Sequence, residues 1–465
     1  MSFLDPSANV EFGTVSQGEL VKALEAGYGT DSAAMTGGRS LIPQDIQNTL
    51  QNALKFGRND FKVMNLVRKN PVYSTIHEYT RQTDVGDEID NFVAEGGESQ
   101  ENTSQLERIT KAMKYLQTYR KITLQMRVAK TIEDAEALEK TSGTLEVLRS
   151  AEKANFHGDS SVNPVQFDGI IKQIKDGSTA NIVDLRGKLI SSTEGEESFN
   201  EIARKIYEGG GYATHAFMPP VLAQDVQNLV KDRLRLNTGD NRAAAVVEKY
   251  PTPFSDEILI AGSAGPDKFF RVKTSVVASG DSSKRPDAPT IALAAQAKTG
   301  GTGFLVATAG TYYYTVHAVN QYGVSPASAA GSVAVADGQQ VQITITPAAG
   351  NATTGFIICR SKVDAADGTD TREMIKVSKA STPTTIHLDQ NDDLPGTGEL
   401  IVLSYNEMDP SIQWDQFLPL MKFDLYPTNA AIIPFLIILF GAMDVKVPWR
   451  HGLVKNVSFT GLDWF

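Results

Sequence analysis

The sequence predicts an α+β protein with an all-β sandwich inserted into it. Three observations lead there. First, Ile132, Ala135, Leu138, Leu145, Leu148 and Ala151 recur at three- and four-residue steps, which marks one face of a long helix over Thr131–Phe156. Second, AAIIPFLIILFGAM, from Ala430 to Met443, is a nearly unbroken apolar run. It is shorter than the ~20 residues a spanning helix needs, and Pro434 interrupts it, so it reads as a strand buried on both faces. Third, from Pro286 to Gly396 the composition shifts to Ala, Thr, Gly and Val, with short alternating strands between turns.

The remaining elements follow in chain order. The first ~70 residues read as an arm, because their helices, Gln17–Ala26 and Ile42–Phe56, carry only a thin apolar stripe (Ile46, Leu50, Leu54). Residues 75 to 125 divide by charge. From Asp84 to Glu101 every charged residue is an acid: Asp84, Asp87, Glu88, Asp90, Glu95, Glu98 and Glu101. The return is mainly basic, with Arg108, Lys111, Lys114, Arg120 and Lys121. Met113, Tyr115 and Tyr119 alternate against Leu116 and Ile122. This predicts a long antiparallel hairpin with the polar tip EGGESQENTS. Two such strands are marginal alone and gain most by lying across a partner.

The long helix follows, with Gly143 as a possible bend. Helices are predicted at Phe167–Ile174, Ser198–Glu208 and Val221–Leu236, the last entered through Pro219 and Pro220. Strands are predicted at Ala213–Met218, Glu257–Ala261 and Phe269–Val277. The insert opens on the stiff RPDAP (Arg285 to Pro289) and contains GTYYYTVHAVNQYGVSPAS, GQQVQITITPAA, GFIICRS, REMIKVSKA and TTIHLDQNDDLPG. Its ends are expected close together. After it come a strand at Leu400–Tyr405, a turn-rich stretch holding Trp414 and Pro419, the apolar run, and a strand at Leu453–Thr460.

Composition excludes several classes of function. Cys359 is the only cysteine, so there is no disulfide framework and no cysteine-based metal or iron–sulfur site. A net charge of −11 argues against a protein whose main affinity is for nucleic-acid phosphates. Met1–Pro6 has neither the basic start nor the apolar core of a signal peptide. His157, Asp159 and Asp168 lie close in sequence, but a helix stop followed by a capped turn explains them. The acids of DAADGTD (Asp364 to Asp370), and Asp389, Asp392 and Asp393, lack the spacing of a calcium loop. TGGTG (Thr299 to Gly303) lacks the Lys-Ser/Thr of a phosphate loop. No nucleophile–His–acid motif is present, and no catalytic, cofactor or metal residues are assigned.

The order of parts, together with NFHGDSSVNPVQFDGI (155–170), YATHAFMPPVLAQDV (212–226) and FLPLMKFDLYPTNAAIIPFLIILFGAMDVKVPWRHGLVKNV (417–457), resembles the major capsid proteins of tailed bacteriophages with the Hong Kong 97 type fold. The likeness is greatest to those of large contractile-tailed phages that carry an immunoglobulin-like insert, and it spreads over nearly the whole chain. AVNQYGVSPAS points to an immunoglobulin or fibronectin type of sandwich rather than to capsids. The resemblance implies an arm over residues 1–72 and an extended loop over 73–125. It implies a peripheral domain with a spine helix over 126–211 and 441–465. An axial domain would take 212–285 and 397–440, and the insert 286–396.

The resemblance further implies a non-enzymatic structural protein that self-assembles as hexamers and pentamers into an icosahedral head. That head encloses double-stranded DNA without sequence-specific binding. A scaffolding protein, a portal and a maturation protease are the implied partners, with assembly in the host bacterial cytoplasm and no membrane. Ile46, Leu50, Asp84, Asp87, Glu88, Asp90, Glu95, Arg108, Lys111, Lys114, Arg120 and Lys121 are the candidate inter-subunit contacts, with Val63 as a further apolar arm residue. Some capsids of this fold cross-link a loop lysine to a neighbour's asparagine. Lys111 and Lys114 stand in the right place, but charge pairing is the simpler role. The alternatives are a phage tail, baseplate or surface-adhesion protein with an immunoglobulin-like module, and an enzyme with an accessory sandwich. A glycoside hydrolase needs paired carboxylates in an aromatic cleft, yet the chain has only Trp414, Trp449 and Trp464, all C-terminal.

Overall fold

The computed structural model describes residues 11–12, 15–16, 60–86, 92–98, 103–128, 134–231, 248–298, 303–408, 410–427, 431–462 and 464. Both predicted arm helices, and Ile46, Leu50, Asp87, Glu88 and Asp90, lie outside the described residues. Two compact units are present, one of residues 1–54 and 128–134 and one of residues 55–127 and 135–465. In the first, β1 (Glu11–Phe12) and β2 (Val15–Ser16) pair antiparallel.

The second unit begins with helix α1 (Lys62–Leu66) and strand β3 (Lys69–Pro71). β4 (Ile76–Asp84) and β5 (Gln105–Ala112) form the predicted antiparallel hairpin. The return does not continue as one arm. Met113 is buried, and β6 (Lys114–Thr123) leaves the hairpin for another sheet. A one-turn helix, α2 (Leu124–Val128), follows it. α3 (Ala135–His157) is the long predicted helix and runs unbroken through Gly143. A Cβ there would lie 2.6 Å from Ile437 Cδ1, so glycine lets the helix approach the sheet instead of bending it.

α4 (Ile170–Gly177), β7 (Ile182–Asp184), α5 (Thr193–Glu208), β8 (His215–Met218) and α6 (Pro220–Lys231) follow. Ser192 Oγ caps α5 by accepting from Gly195 N–H at 3.2 Å. Then come β9 (Lys249–Thr252), β10 (Ser255–Leu259) and β11 (Gly265–Pro266). The strand predicted at Phe269–Val277 is absent. Its aromatic residues are buried without a ladder, Phe269 stacking on Phe61 and Phe270 on Phe156.

The inserted region folds as a two-sheet sandwich. One sheet holds β12 (Ser279–Gly280), β14 (Gly310–Asn320), β15 (Gly323–Val324), β16 (Gly331–Val335), β18 (Gly355–Arg360) and β19 (Arg372–Ser378). The other holds β13 (Thr290–Ala297), β17 (Gln339–Thr346) and β20 (Thr385–Asp389). Tyr314, Val316, Ile343, Phe356 and Ile358 fill the space between them. The chain enters and leaves side by side, with Lys273 N–H donating to Thr397 O at 3.0 Å.

β21 (Gly398–Leu403), β22 (Ile412–Asp424), β23 (Ile432–Val445) and β24 (Gly452–Val457) complete the chain. β23 is the expected strand, but it is fully buried only on its α3 side; Leu436 and Phe440 on the other face are partly exposed. β22 replaces the turn-rich stretch expected around Trp414 and Pro419. The proline fits because the register slips between Leu418 and Met421, a bulge that needs no N–H there.

The sheets cut across the division implied by the resemblance. β22 and residues 432–440 of β23, placed with the axial part, pair in the order β3-β22-β23-β6, and β23 and β6 pack against α3. β24, placed with the peripheral part, lies between β7 and β21 in a seven-stranded sheet with β8, β9, β10 and β11. No helix among the described residues is long and apolar enough to cross a membrane.

Candidate assembly surface

The hairpin and the β6-β23-β22 sheet both present apolar and charged side chains to solvent. The inner face of the hairpin is tied to its own subunit. Tyr79 OH donates to Asp444 Oδ1 at 3.3 Å. Arg81 donates to Glu107 Oε2 at 2.8 Å and to Lys446 O at 3.2 Å, and its guanidinium lies 4.9 Å from the Trp449 ring centroid. Asn70 and Gln413 donate to Asp415 Oδ1 at 3.0 and 2.7 Å. Asp415 and Asp444 are fully buried. Burial, reinforced by Asp415, pushes the Asp444 carboxyl up to about 6 against the pull of Lys111.

Most of the basic candidates find partners within the chain. Arg108 pairs with Glu78 across the hairpin. Lys111 donates to Gln173 Oε1 at 2.9 Å and lies 3.9 Å from Asp444. Lys114 donates to Pro164 O at 2.6 Å. Arg120 reaches across to α3, 3.1 Å from Glu139 and 2.5 Å from Glu146. Lys121 and Glu95 are exposed, and Asp84 Oδ1 accepts from Gly86 N–H at 2.8 Å. Val63, expected to cover a neighbour, is instead in this unit's own core.

An apolar surface remains that charge reasoning missed. β6 turns Thr118 and Arg120 toward α3, so Tyr115 and Tyr119 point to the opposite face. There Tyr115 lies opposite Phe440, and Phe440 opposite Leu418. Tyr119 lies opposite Leu436, and Leu436 opposite Phe423. Tyr115, Tyr119, Met421 and Phe423 are exposed. On the outer hairpin face Ile76 and Leu106 are exposed too, as is Phe92 in the connection. The Tyr115/Tyr119 alternation was visible in the sequence, but its partner Phe423 was hidden with the unrecognised strand β22.

The site-like clusters are local. Asp168 Oδ1 accepts from Ser160 N–H and Asp159 Oδ1 from Ser161 N–H, both as turn caps. Burial, helped by Lys376, pushes His157 down to about 3. No group of three or more His, Cys, Asp or Glu among the described residues is placed to hold a metal ion.

A family model described as the SU10 major capsid protein matches residues 31–264. The major capsid proteins of Staphylococcus phages S25-3 and K are each 24% identical to this chain over 472 residues, covering 95% of it and 96% of their own lengths. Among solved structures, the capsid of a native GTA particle superposes with a TM-score of 0.47 and 10% identity, over 92% of this chain and 100% of the other. A structure of Mycobacterium phage Adephagia gives 0.43 and 8%, over 92% and 98%.

Proposed function

This chain belongs to the SU10 major capsid protein family, and we propose that copies of it join as hexamers and pentamers, through the hairpin and the outer face of the β6-β23-β22 sheet, into an icosahedral head around double-stranded DNA. It is a phage major capsid protein. The observation that carries the assembly reading is the row of exposed aromatic and aliphatic side chains on that sheet face, which no element of the described chain covers. Contiguous exposed apolar surface of this kind marks an interaction site. The hairpin offers a second surface of the same character in Ile76 and Leu106. Lys121 at the edge of the sheet face, and the all-acidic stretch from Asp84 to Glu101, give two copies opposite charges to align.

The Hong Kong 97 type of architecture, and an immunoglobulin-like character for the inserted sandwich, belong to the same proposal. So do a scaffolding protein, a portal and a maturation protease as partners, assembly in the host cytoplasm, and the absence of catalysis. The net charge of −11 supports a shell that confines DNA without gripping its phosphates. Negative-stain electron microscopy of the expressed chain, alone and with co-expressed phage assembly factors, tests it. Closed shells or ring-shaped capsomers are expected, whereas a monomer under both conditions would overturn it.

A further inference from the structure

Glu152 on α3 is fully buried and holds a segment far from it in sequence. Its Oε1 accepts from Val63 N–H at 2.7 Å, and its Oε2 accepts from Met64 N–H at 3.1 Å and from Asn155 Nδ2 at 3.2 Å. Phe61, at the N-cap of α1, supplies no side-chain cap. The carboxyl of Glu152 therefore caps α1 from another helix. A second buried carboxyl, that of Asp267, accepts from Phe269 N–H at 2.7 Å through Oδ1, and its charge acts on Glu152. No donor among the described residues reaches Asp267 Oδ2. A proton held between the two buried carboxyls would supply the donor that Asp267 Oδ2 lacks.

The charged groups around the pair come from three segments. Asp60 and Lys62 belong to the α1 side. Lys62 Nζ donates to Ala264 O at 2.9 Å, and Asp60 lies 2.9 Å from Lys268. Lys268 and Arg271 follow Asp267 in the chain, and Arg149 and Lys153 neighbour Glu152 on α3. We propose that Glu152 and Asp267 share one proton and that this proton latches residues 61–67 onto α3, opening the segment when it is lost.

The direction of the pH dependence follows from the pair's surroundings. Burial, reinforced by Asp267, pushes the Glu152 carboxyl up to about 8, and burial raises Asp267 as well. In the opened segment the same groups titrate in the ordinary carboxylate range. Between that range and about pH 8 the closed form keeps a proton that the open form has lost. The latch is therefore at full strength in acid, weakens as pH rises, and levels off beyond about 8.

Hydrogen–deuterium exchange of the full chain from pH 5 to 9, corrected for intrinsic exchange, reads this directly. The opening constant of peptides spanning residues 61–67 is expected to rise up to about tenfold per pH unit and to plateau above about 8. Asp267→Asn puts a permanent amide donor in place of the shared proton and is expected to flatten that rise. Glu152→Gln flattens it too, with faster exchange throughout, because one capping oxygen is lost. A flat wild-type profile, or a wild-type slope in Asp267→Asn, overturns the proposal. So does the same slope in peptides of β18, which would report global unfolding. If Asp267→Asn does not fold, the wild-type and Glu152→Gln profiles decide the matter alone.

Discussion

Removing one ring from the outer face of the β6-β23-β22 sheet is the sharpest test of how the subunit assembles. Phe423 and Tyr119 are each 52% exposed, and both lie opposite Leu436 on the middle strand. An aromatic side chain covers ~150–250 Å², so about 100 Å² of each ring is available to a neighbour. At about 25 cal/mol per Å² that surface is worth roughly 2.5 kcal/mol if fully covered. Allowing for incomplete cover, Phe423→Ala or Tyr119→Ala is expected to weaken each contact by about 2 kcal/mol, near 30-fold in the association constant. The subunit itself changes little, because surface substitutions usually stay within about 0.5 kcal/mol. Light scattering against protein concentration gives the assembly threshold, and calorimetry checks the fold. Tyr322→Ala, an exposed ring in the sandwich, serves as the control and leaves the threshold in place. A wild-type threshold for both Phe423→Ala and Tyr119→Ala, with the fold intact, would remove this face from the interface.

Three further outcomes follow from buried groups. Arg360 and Asp389 form an ion pair at 2.7 Å with both side chains 2% exposed, and Tyr314 OH also donates to Asp389 at 2.8 Å. Arg360→Ala strands the carboxylate and should cost about 3–5 kcal/mol by calorimetry, whereas Arg360→Met with Asp389→Leu should cost less, about 1–3 kcal/mol, chiefly for the Tyr314 hydroxyl left without its acceptor. Burial opposes the charge of Glu399, yet Lys175 at 2.9 Å, with Lys273, outweighs it and holds the carboxyl down at about 2. The stability this pair contributes is complete above the ordinary carboxylate range and is lost as pH falls toward 2. Urea midpoints should show about 3 kcal/mol of acid-dependent loss that Glu399→Gln removes. Gly441→Ala would push a methyl into the Asp415 carbonyl and to 2.9 Å from the Trp414 ring, so a loss of at least about 1–3 kcal/mol in chemical denaturation is expected.

How much of this was legible in the sequence depended on whether an interaction is periodic or remote. The stripe of Leu145, Leu148 and Ala151 announced α3, and the run from Ile432 to Phe440 announced β23, because burial of one face or two leaves a repeat that can be counted. β22 left none. Pro419 argues locally for a turn, and only the slipped register against β23 makes it acceptable in a strand. Arg360 and Glu152 look like surface charges in their own segments. Their burial comes from Asp389, 29 residues on, and from the α1 backbone, 88 or more residues back.

The hairpin bases show the same limit with a functional consequence. Counted along the chain, acids on one arm and bases on the other imply pairing between subunits. Because β6 departs at Met113 to lie beside β23, however, Arg120 meets Glu139 and Glu146 of α3, and Lys111 meets Gln173. A surface charge already paired within its subunit offers little to a neighbour, since each exposed ion pair is worth only ~0–1 kcal/mol. The same departure turns Tyr115 and Tyr119 outward beside Phe440 and Phe423. The surface this sheet exposes is therefore chiefly apolar, and in the proposed assembly Lys121 and the acidic stretch of the hairpin connection would orient the copies that meet there.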